Sequence, residues 1–315
     1  MKAFVTGGAG FIASHLEDVL IKHGCEVCAA DVIEPSKCHN IAHLTADDRF
    51  TYQQLDATNV KALTVATEGY DIVYHLAANS DIQRGGQDPA VDYAMTFQTT
   101  RAVLEAMRAN HIPKMFFSST SAVYGDIKGQ LNELTGGLKP ISYYGAAKLS
   151  SEAMISAYSY MNDFDALIFR FPNVIGPRLT HGVIFDFLRK LKHNPHELEI
   201  LGNGKQSKQY VYVTDLAQGI WDFSQKKEPG LNLYNVSTES YTDVNTIADL
   251  VCERLGLKDV KYTYTGGNCG WKGDVPSFGY DVSKAKAAGW KYRYGSTEAV
   301  RETLRQADVD YISSL

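Results

Sequence analysis

An α/β fold built on a doubly wound parallel sheet is what this sequence predicts, and three observations carry the prediction. Through the first half of the chain, short apolar runs alternate with longer amphipathic stretches, the pattern of strands and helices laid down in turn. A glycine-rich stretch, TGGAGFIAS (6–14), joins the first apolar run to the first amphipathic one. After Pro172 the alternation loosens, which predicts a smaller, mixed α/β lobe behind the first domain.

The elements follow in order. KAFVT (2–6) reads as the first strand and residues 10–23 as the first helix. EVCAAD, FTYQQL, DIVYHLA and KMFFSS are the next strands. Between the last two, residues 88–110 carry apolar side chains at helical spacing, with Pro89 suited to a first turn. A second long helix is expected over 142–161, and DALIFRF as the strand after it. Beyond, HGVIFDFLRKLKH, VTDLAQGIWDF (with Thr214 as N-cap) and YTDVNTIADLVCERLG read as helices, YVYV and LYNVS as short strands, and 296–306 as the last helix. No Pro-, Gly- or Ser-rich linker and no repeat divides the chain. The expected organisation is therefore a dinucleotide domain over 1–172 and a substrate lobe over 173–315, with some segments returning to the first domain.

Composition narrows the function. With 44% hydrophobic and 21% charged residues, the 315-residue chain is that of an ordinary globular protein. A net charge of −5 without a basic run argues against a nucleic-acid partner. The chain enters a strand at once, without the features of a secretory signal, and no apolar run approaches the roughly 18–20 residues that span a bilayer. A cytoplasmic protein without a membrane partner is expected. The cysteines, at 25, 28, 38, 252 and 269, are odd in number and scattered, so no disulfide framework is implied. Cys25 and Cys28 sit where a buried strand begins, pointing to opposite faces. His193 and His196 flank a proline in a polar stretch and read as surface residues. No cluster has metal-ligand spacing.

The glycine stretch lacks the third glycine of a dinucleotide fingerprint, having Ala13 instead. Gly7 permits the tight turn and Gly10 lets backbone approach a pyrophosphate at a helix N-terminus. The third position serves helix–strand packing, where alanine is accepted. Asp31 ends the second strand about 20 residues on, where a carboxylate accepts from a ribose 2′-hydroxyl and repels a 2′-phosphate, which favours NAD over NADP.

SYYGAAK places Tyr144 and Lys148 four apart on one helical face. The preceding strand ends in Ser118, Ser119, Thr120 and Ser121, and ligands of open α/β sheets bind beyond the carboxyl ends of strands. A phenol of ordinary pKa near 10 is a poor base at neutral pH, but a neighbouring ammonium and a positive nicotinamide both favour phenolate. Tyr144 then takes a proton from a sugar hydroxyl oriented by Thr120, as hydride leaves the same carbon for NAD, while Lys148 also holds the nicotinamide ribose.

TGGAGFIAS, HLAAN (75–79), SSTSAVYG (118–125), YGAAK (144–148) and RFPNVIGPR (170–178) together resemble the extended short-chain dehydrogenase/reductase family. Within it the chain is similar to the NAD-dependent sugar-nucleotide epimerases and dehydratases, and PISYYGAAK, GPRLTHGVIFDF and GWKGDV look most like archaeal-type UDP-galactose 4-epimerases. The resemblance implies a Rossmann-type fold and makes Thr120, Tyr144 and Lys148 the catalytic residues. It adds Phe11, Ile12, Asp56 and Ala57 to the cofactor contacts, Asp56 at the adenine. Leu76, Ala77 and Ala78 line the cofactor, with Ser118 and Phe171. Asn173 contacts the substrate diphosphate, and Thr120, Val183, Lys208 and Asp274 complete the substrate set.

The departures from the family pattern are informative. The 4,6-dehydratases place Asp-Glu directly after the catalytic threonine, and the glucuronate decarboxylases an acid at the second position; this chain has Ser121 and Ala122. Lys208 and Trp271 stand at positions where many relatives have arginine, and Lys272 and Arg178 are charges that could compensate. Thr96 replaces a common asparagine. The expected activity is 4-epimerisation of a UDP-galactose/UDP-glucose class substrate through a transient 4-keto sugar. A 4-dehydrogenase releasing that keto sugar, an epimerase of a GDP-sugar or UDP-uronic acid, and a non-enzymatic NAD-binding regulator are the alternatives. The long helices near 88–110 and 142–161 leave apolar surface, and relatives pair such helices, so a homodimer is expected.

Overall fold

The computed structural model describes residues 1–79, 81–267, 270 and 279–308. In chain order its elements are β1 (Lys2–Thr6), α1 (Phe11–Lys22), β2 (Glu26–Asp31), β3 (Phe50–Gln54), α2 (Val60–Ala66), β4 (Ile72–His75), α3 (Ile82–Gln87), α4 (Pro89–Asp92), α5 (Thr99–Asn110), β5 (Lys114–Thr120), β6 (Gln130–Leu131), α6 (Tyr143–Asn162) and β7 (Asp165–Phe171). There follow β8 (Asn173–Ile175), α7 (Val183–His193), β9 (Glu197–Ile200), β10 (Ser207–Lys208), β11 (Tyr210–Tyr212), α8 (Val213–Ser224), β12 (Leu231–Asn235), β13 (Thr242–Asp243), α9 (Val244–Leu255), β14 (Lys261–Tyr264), β15 (Gly279–Tyr280), α10 (Ser283–Ala287) and α11 (Ser296–Gln306).

The chain forms two compact units. The first comprises Met1–Asp126, Glu133–Phe171 and Ala217–Tyr234; the second comprises Ile127–Asn132, Pro172–Leu216 and Asn235–Leu315. The first unit holds the doubly wound sheet, in the order β12-β7-β5-β4-β1-β2-β3. From β3 to β7 the strands pair in parallel. The chain winds outward from β1 to β3, then restarts on the other side of β1 with β4, which places the switch point between β1 and β4. Phe4, Val73, Phe117 and Ile168 from the strands pack with Leu104, Met107 and Ile155 from α5 and α6.

Residues 88–110 do not form the single helix expected. A π-helical turn, Tyr93–Gln98, separates α4 from α5. The Thr99 hydroxyl donates to the Met95 and Thr96 carbonyls at 2.9 and 3.0 Å, and that of Thr100 to Thr96 O at 2.8 Å. Side-chain hydroxyls thus take carbonyls that an uninterrupted α-helix would give to its own amides.

In the second unit, β8 pairs with β11 and β9 with β14, both in parallel. Phe187, Leu188, Leu198, Ile247, Val251 and Val300 form its core. Asp243 caps α9 by accepting from Thr246 N at 2.8 Å. Thr214 is not the N-cap of α8 as expected: β11 runs straight into the helix at Val213, and the Thr214 hydroxyl accepts from Arg293 Nη2 at 2.7 Å. His193 is the last residue of α7 rather than part of a loop; it and His196 are exposed. Cys25 and Cys28 are buried free thiols. Among the described residues no helix is long and apolar enough to cross a membrane, and no group of His, Cys, Asp and Glu is placed to hold a metal.

Candidate functional site

The turn after β1 lies at the switch point. Gly7 has a φ of +70°, and a side chain there would come within 2.8 Å of Ala77 N. Only glycine meets both demands. Gly10 begins α1 without a side-chain cap, and the first turn carries no acidic residue. Its amides, Phe11 and Ile12 among them, present the positive end of the helix dipole without an internal counter-charge. Ala13 is 1% exposed, its methyl accommodated. The glycine turn itself comes close to β2 at Gly8, where a Cβ would stand 2.6 Å from that of Ala29.

Asp31 lies just past the Thr6–Ala30 register pair. Its carboxylate accepts from Ala9 N at 3.2 Å and Val32 N at 2.7 Å, holding it beside the glycine turn. Burial raises its pKa, opposed by these backbone amides and that of Ile33. Asp56 is exposed, and its Oδ1 accepts from the amide and hydroxyl of Thr58, both at 2.8 Å; Ala57 beside it is buried. Leu76, Ala77 and Ala78 follow β4, half-buried, and Phe171 ends β7, buried. An uncapped helix N-terminus, a glycine turn that admits close backbone approach and an anchored carboxylate suit a dinucleotide: pyrophosphate at α1, ribose at Asp31.

At the carboxyl end of β5 the chemistry-bearing side chains meet. Ser142 caps α6, accepting from Gly145 N at 3.1 Å. A Cβ at Gly145 would stand 2.5 Å from the Ala122 carbonyl, so glycine after Tyr144 lets α6 close on the short 3₁₀ turn Ser121–Tyr124. Thr120 accepts from Ala122 N at 3.2 Å and hydrogen-bonds the Tyr144 phenol. Burial raises the Tyr144 pKa to about 12, Thr120 opposing and the Asp92 charge assisting.

Lys148 is 2% exposed. Its Nζ donates to Ser118 O at 2.6 Å, lies 3.5 Å from Ser118 Oγ, and stands 4.6 Å from the Phe117 ring centre and 5.9 Å from that of Tyr144. Burial lowers its pKa to about 7, with the Glu152 charge pulling the other way. The group can take a proton at Tyr144 from a bound hydroxyl oriented by Thr120, with Lys148 supplying positive charge to the phenolate.

The sequence reading passed over Gly145, Glu152 and Arg170. Arg170 grips Glu152 through Nε at 3.0 Å and Nη2 at 2.6 Å, both residues buried. Ser119 donates to Glu152 Oε1, and the guanidinium lies 4.8 Å from the Tyr124 ring centre. The signal for Glu152 was its place four residues after Lys148, continuing the face of Tyr144; Arg170 gave none.

In the second unit, Asn173 is exposed on β8, paired with Tyr210. Val183 is the first residue of α7, and Lys208 lies half-buried on β10 opposite Thr242. Asp274, with Trp271 and Lys272, falls outside the described residues.

A doubly wound sheet with a glycine turn at its switch point, and a half-buried tyrosine with a buried lysine on one helix face beside the next strand ends, is the frame of a nicotinamide-dinucleotide enzyme. The chain belongs to the NAD-dependent epimerase/dehydratase family, whose model matches residues 3–237. It is 30% identical, over 323 aligned positions covering 100% of this chain and 99% of the relative, to an uncharacterized UDP-glucose epimerase, YtcB, of Bacillus subtilis (strain 168). A crystal structure of a UDP-galactose 4-epimerase matches with a TM-score of 0.84 at 32% identity, covering 97% of this chain and 98% of the other. The UDP-glucuronic acid 4-epimerase of Bacillus cereus, in complex with UDP-glucuronic acid and NAD, matches with a TM-score of 0.88 at 27% identity over 99% and 100% of the two chains.

Proposed function

We propose that this protein is an NAD-dependent 4-epimerase of UDP-sugars of the galactose/glucose class. The observation that carries this reading is the company Thr120 keeps: it touches Tyr144, and the turn that follows it, Ser121–Tyr124, contains no carboxylate. A dehydratase must protonate and expel a second hydroxyl, which needs an acid there; an epimerase needs only one reversible proton transfer at C4. When bound, NAD supplies the hydride acceptor and donor at that carbon. Thr120, whose oxygen accepts from Ala122 N, orients the C4 hydroxyl toward Tyr144. Tyr144 takes the proton, Lys148 offsets the phenolate charge, and the same proton is returned after the keto sugar turns over.

In this reading the first-unit residues named above contact the cofactor, Asn173 and Lys208 are the diphosphate contacts implied by the family resemblance, and Val183 and Asp274 are its further substrate contacts. The likeness to the Bacillus cereus enzyme favours UDP-glucuronic acid as a second substrate to test. A panel of UDP-galactose, UDP-glucose and UDP-glucuronic acid, followed by NMR without added electron acceptor, tests the reading. C4-inverted product supports it; a released keto sugar with accumulating reduced cofactor indicates the dehydrogenase.

A homodimer belongs to the same proposal, supported by exposed Tyr143, Tyr160 and Met161 on α6 and Tyr93 and Met95 before α5. Mass that stays monomeric at all concentrations would refute it. A cytoplasmic location accords with the free thiols of Cys25, Cys28, Cys38 and Cys252, and cell fractionation checks it.

A further inference from the structure

Behind Lys148 runs a buried chain of hydrogen bonds whose direction is fixed at one end by a backbone carbonyl. The Thr100 hydroxyl donates its one hydrogen to the Thr96 carbonyl at 2.8 Å. Its 2.9 Å contact with His75 Nε2 must then run from Nε2–H to the hydroxyl oxygen. A neutral imidazole with its proton on Nε2 is an acceptor at Nδ1, so the 2.7 Å contact there is a bond donated by the Thr6 hydroxyl. Thr6 Oγ1 in turn accepts from Ala77 N at 3.3 Å. Thr6, His75, Thr96 and Thr100 are all 0% exposed, so no group in the chain has water as an alternative partner.

A second proton on His75 would leave the Thr6 hydrogen without its acceptor. It would also put a cation near Lys148. The imidazole lies 5.5 Å from the Phe117 ring centre, the same ring that Lys148 Nζ approaches to 4.6 Å. Burial and the Lys148 charge both hold the imidazole neutral, its pKa pushed down to about 3. The far end of the chain is the π-helical turn, where the Thr96 hydroxyl accepts from Asn79 N at 3.2 Å. The stretch 76–79 is thus tied at Ala77 to β1 and at Asn79 to the π-helical turn.

We propose that His75 is a positioning residue of the active centre: locked as the neutral Nε2–H tautomer, it couples the β1 end and the π-helical turn, and so fixes the backbone of 76–78. The consequence for cofactor rests on the NAD-binding reading above; the tautomer itself does not.

Protein labelled with 15N-histidine tests both parts, by NMR of the apoprotein and by NAD titration of the same samples. His75 is expected to show a proton on Nε2 alone across roughly pH 5 to 9, without titrating. Thr100→Val removes the acceptor, and the ring is expected to lose the fixed tautomer while NAD affinity falls roughly tenfold. Thr100→Ser restores both. An Nδ1–H tautomer or a titrating ring in the unsubstituted protein overturns the proposal, whether or not the valine variant folds. So does a folded Thr100→Val protein with tautomer and NAD affinity unchanged. Unsubstituted protein that keeps the fixed tautomer but does not bind NAD upholds the lock and instead refutes the cofactor reading.

Discussion

The Lys148 ammonium stands 5.9 Å from the centre of the Tyr144 ring, one turn away on the same face of α6, while donating to the Ser118 carbonyl at 2.6 Å. One helix therefore carries both the candidate base and its counter-charge, and β5 fixes the counter-charge by backbone.

Lys148 makes stability depend on pH. Its pKa is about 7 in the folded protein against 10.5 for the free side chain, so the unfolded chain binds the extra proton between those values. Stability from this group is fully present above the unfolded value and is lost as pH falls through about 7. Chemical denaturation of the apoprotein should show stability rising above about pH 7, by at most ~1.4 kcal/mol per pH unit. Lys148→Met should remove that slope. An identical slope in the variant would mean that the lysine is not the titrating group.

Thr120 has two duties, capping the 3₁₀ turn through Ala122 N and contacting Tyr144. Thr120→Val should cost roughly 1 kcal/mol of stability and about 10²-fold in turnover. Thr120→Ser keeps the hydroxyl and should recover most of both. Melting curves and initial rates on the same preparations separate the two effects.

Asp31 is expected to select the cofactor. Asp31→Asn keeps the shape but removes the negative charge, so NAD affinity should fall about tenfold as a charge-assisted hydrogen bond is lost. Discrimination against NADP should narrow because the repulsion of a 2′-phosphate is gone. Parallel titrations with the two dinucleotides give both numbers.

Glu152 and Arg170 form a buried pair with two direct bonds. Removing one partner leaves the other charge uncompensated, and Glu152→Ala should cost about 3–5 kcal/mol. Replacing the pair together with apolar residues should cost less than either single change. A double-mutant cycle in urea measures the difference.

Much of this was legible in the sequence for physical reasons. Strands buried on both faces read as apolar runs, so β1, β2, β5 and β7 fall where KAFVT, EVCAAD, KMFFSS and DALIFRF suggest. The helix expected over 142–161 begins where Ser142 caps it, because a short polar side chain there reaches a first-turn amide. The π-helical turn was not legible. Threonine at 96, 99 and 100 fits an ordinary helix pattern, and the contacts of the Thr96 and Thr100 hydroxyls with Asn79 and His75 are tertiary, without a sequence spacing of their own. Thr214 misled because its capping chemistry is engaged by Arg293, 79 residues away. Arg170, read within RFPNVIGPR, gave no hint of Glu152, since an ion pair between a strand and a helix has no sequence spacing of its own.

The most direct test is conversion of UDP-galactose to UDP-glucose by purified protein without added cofactor, compared with Tyr144→Phe. Conversion by the unsubstituted protein is expected, with a loss of roughly 10³-fold in the variant and its fold and bound NAD retained. Equal turnover by the phenylalanine variant would contradict the assignment of the base, and absence of C4 inversion on every UDP-sugar would contradict the epimerase.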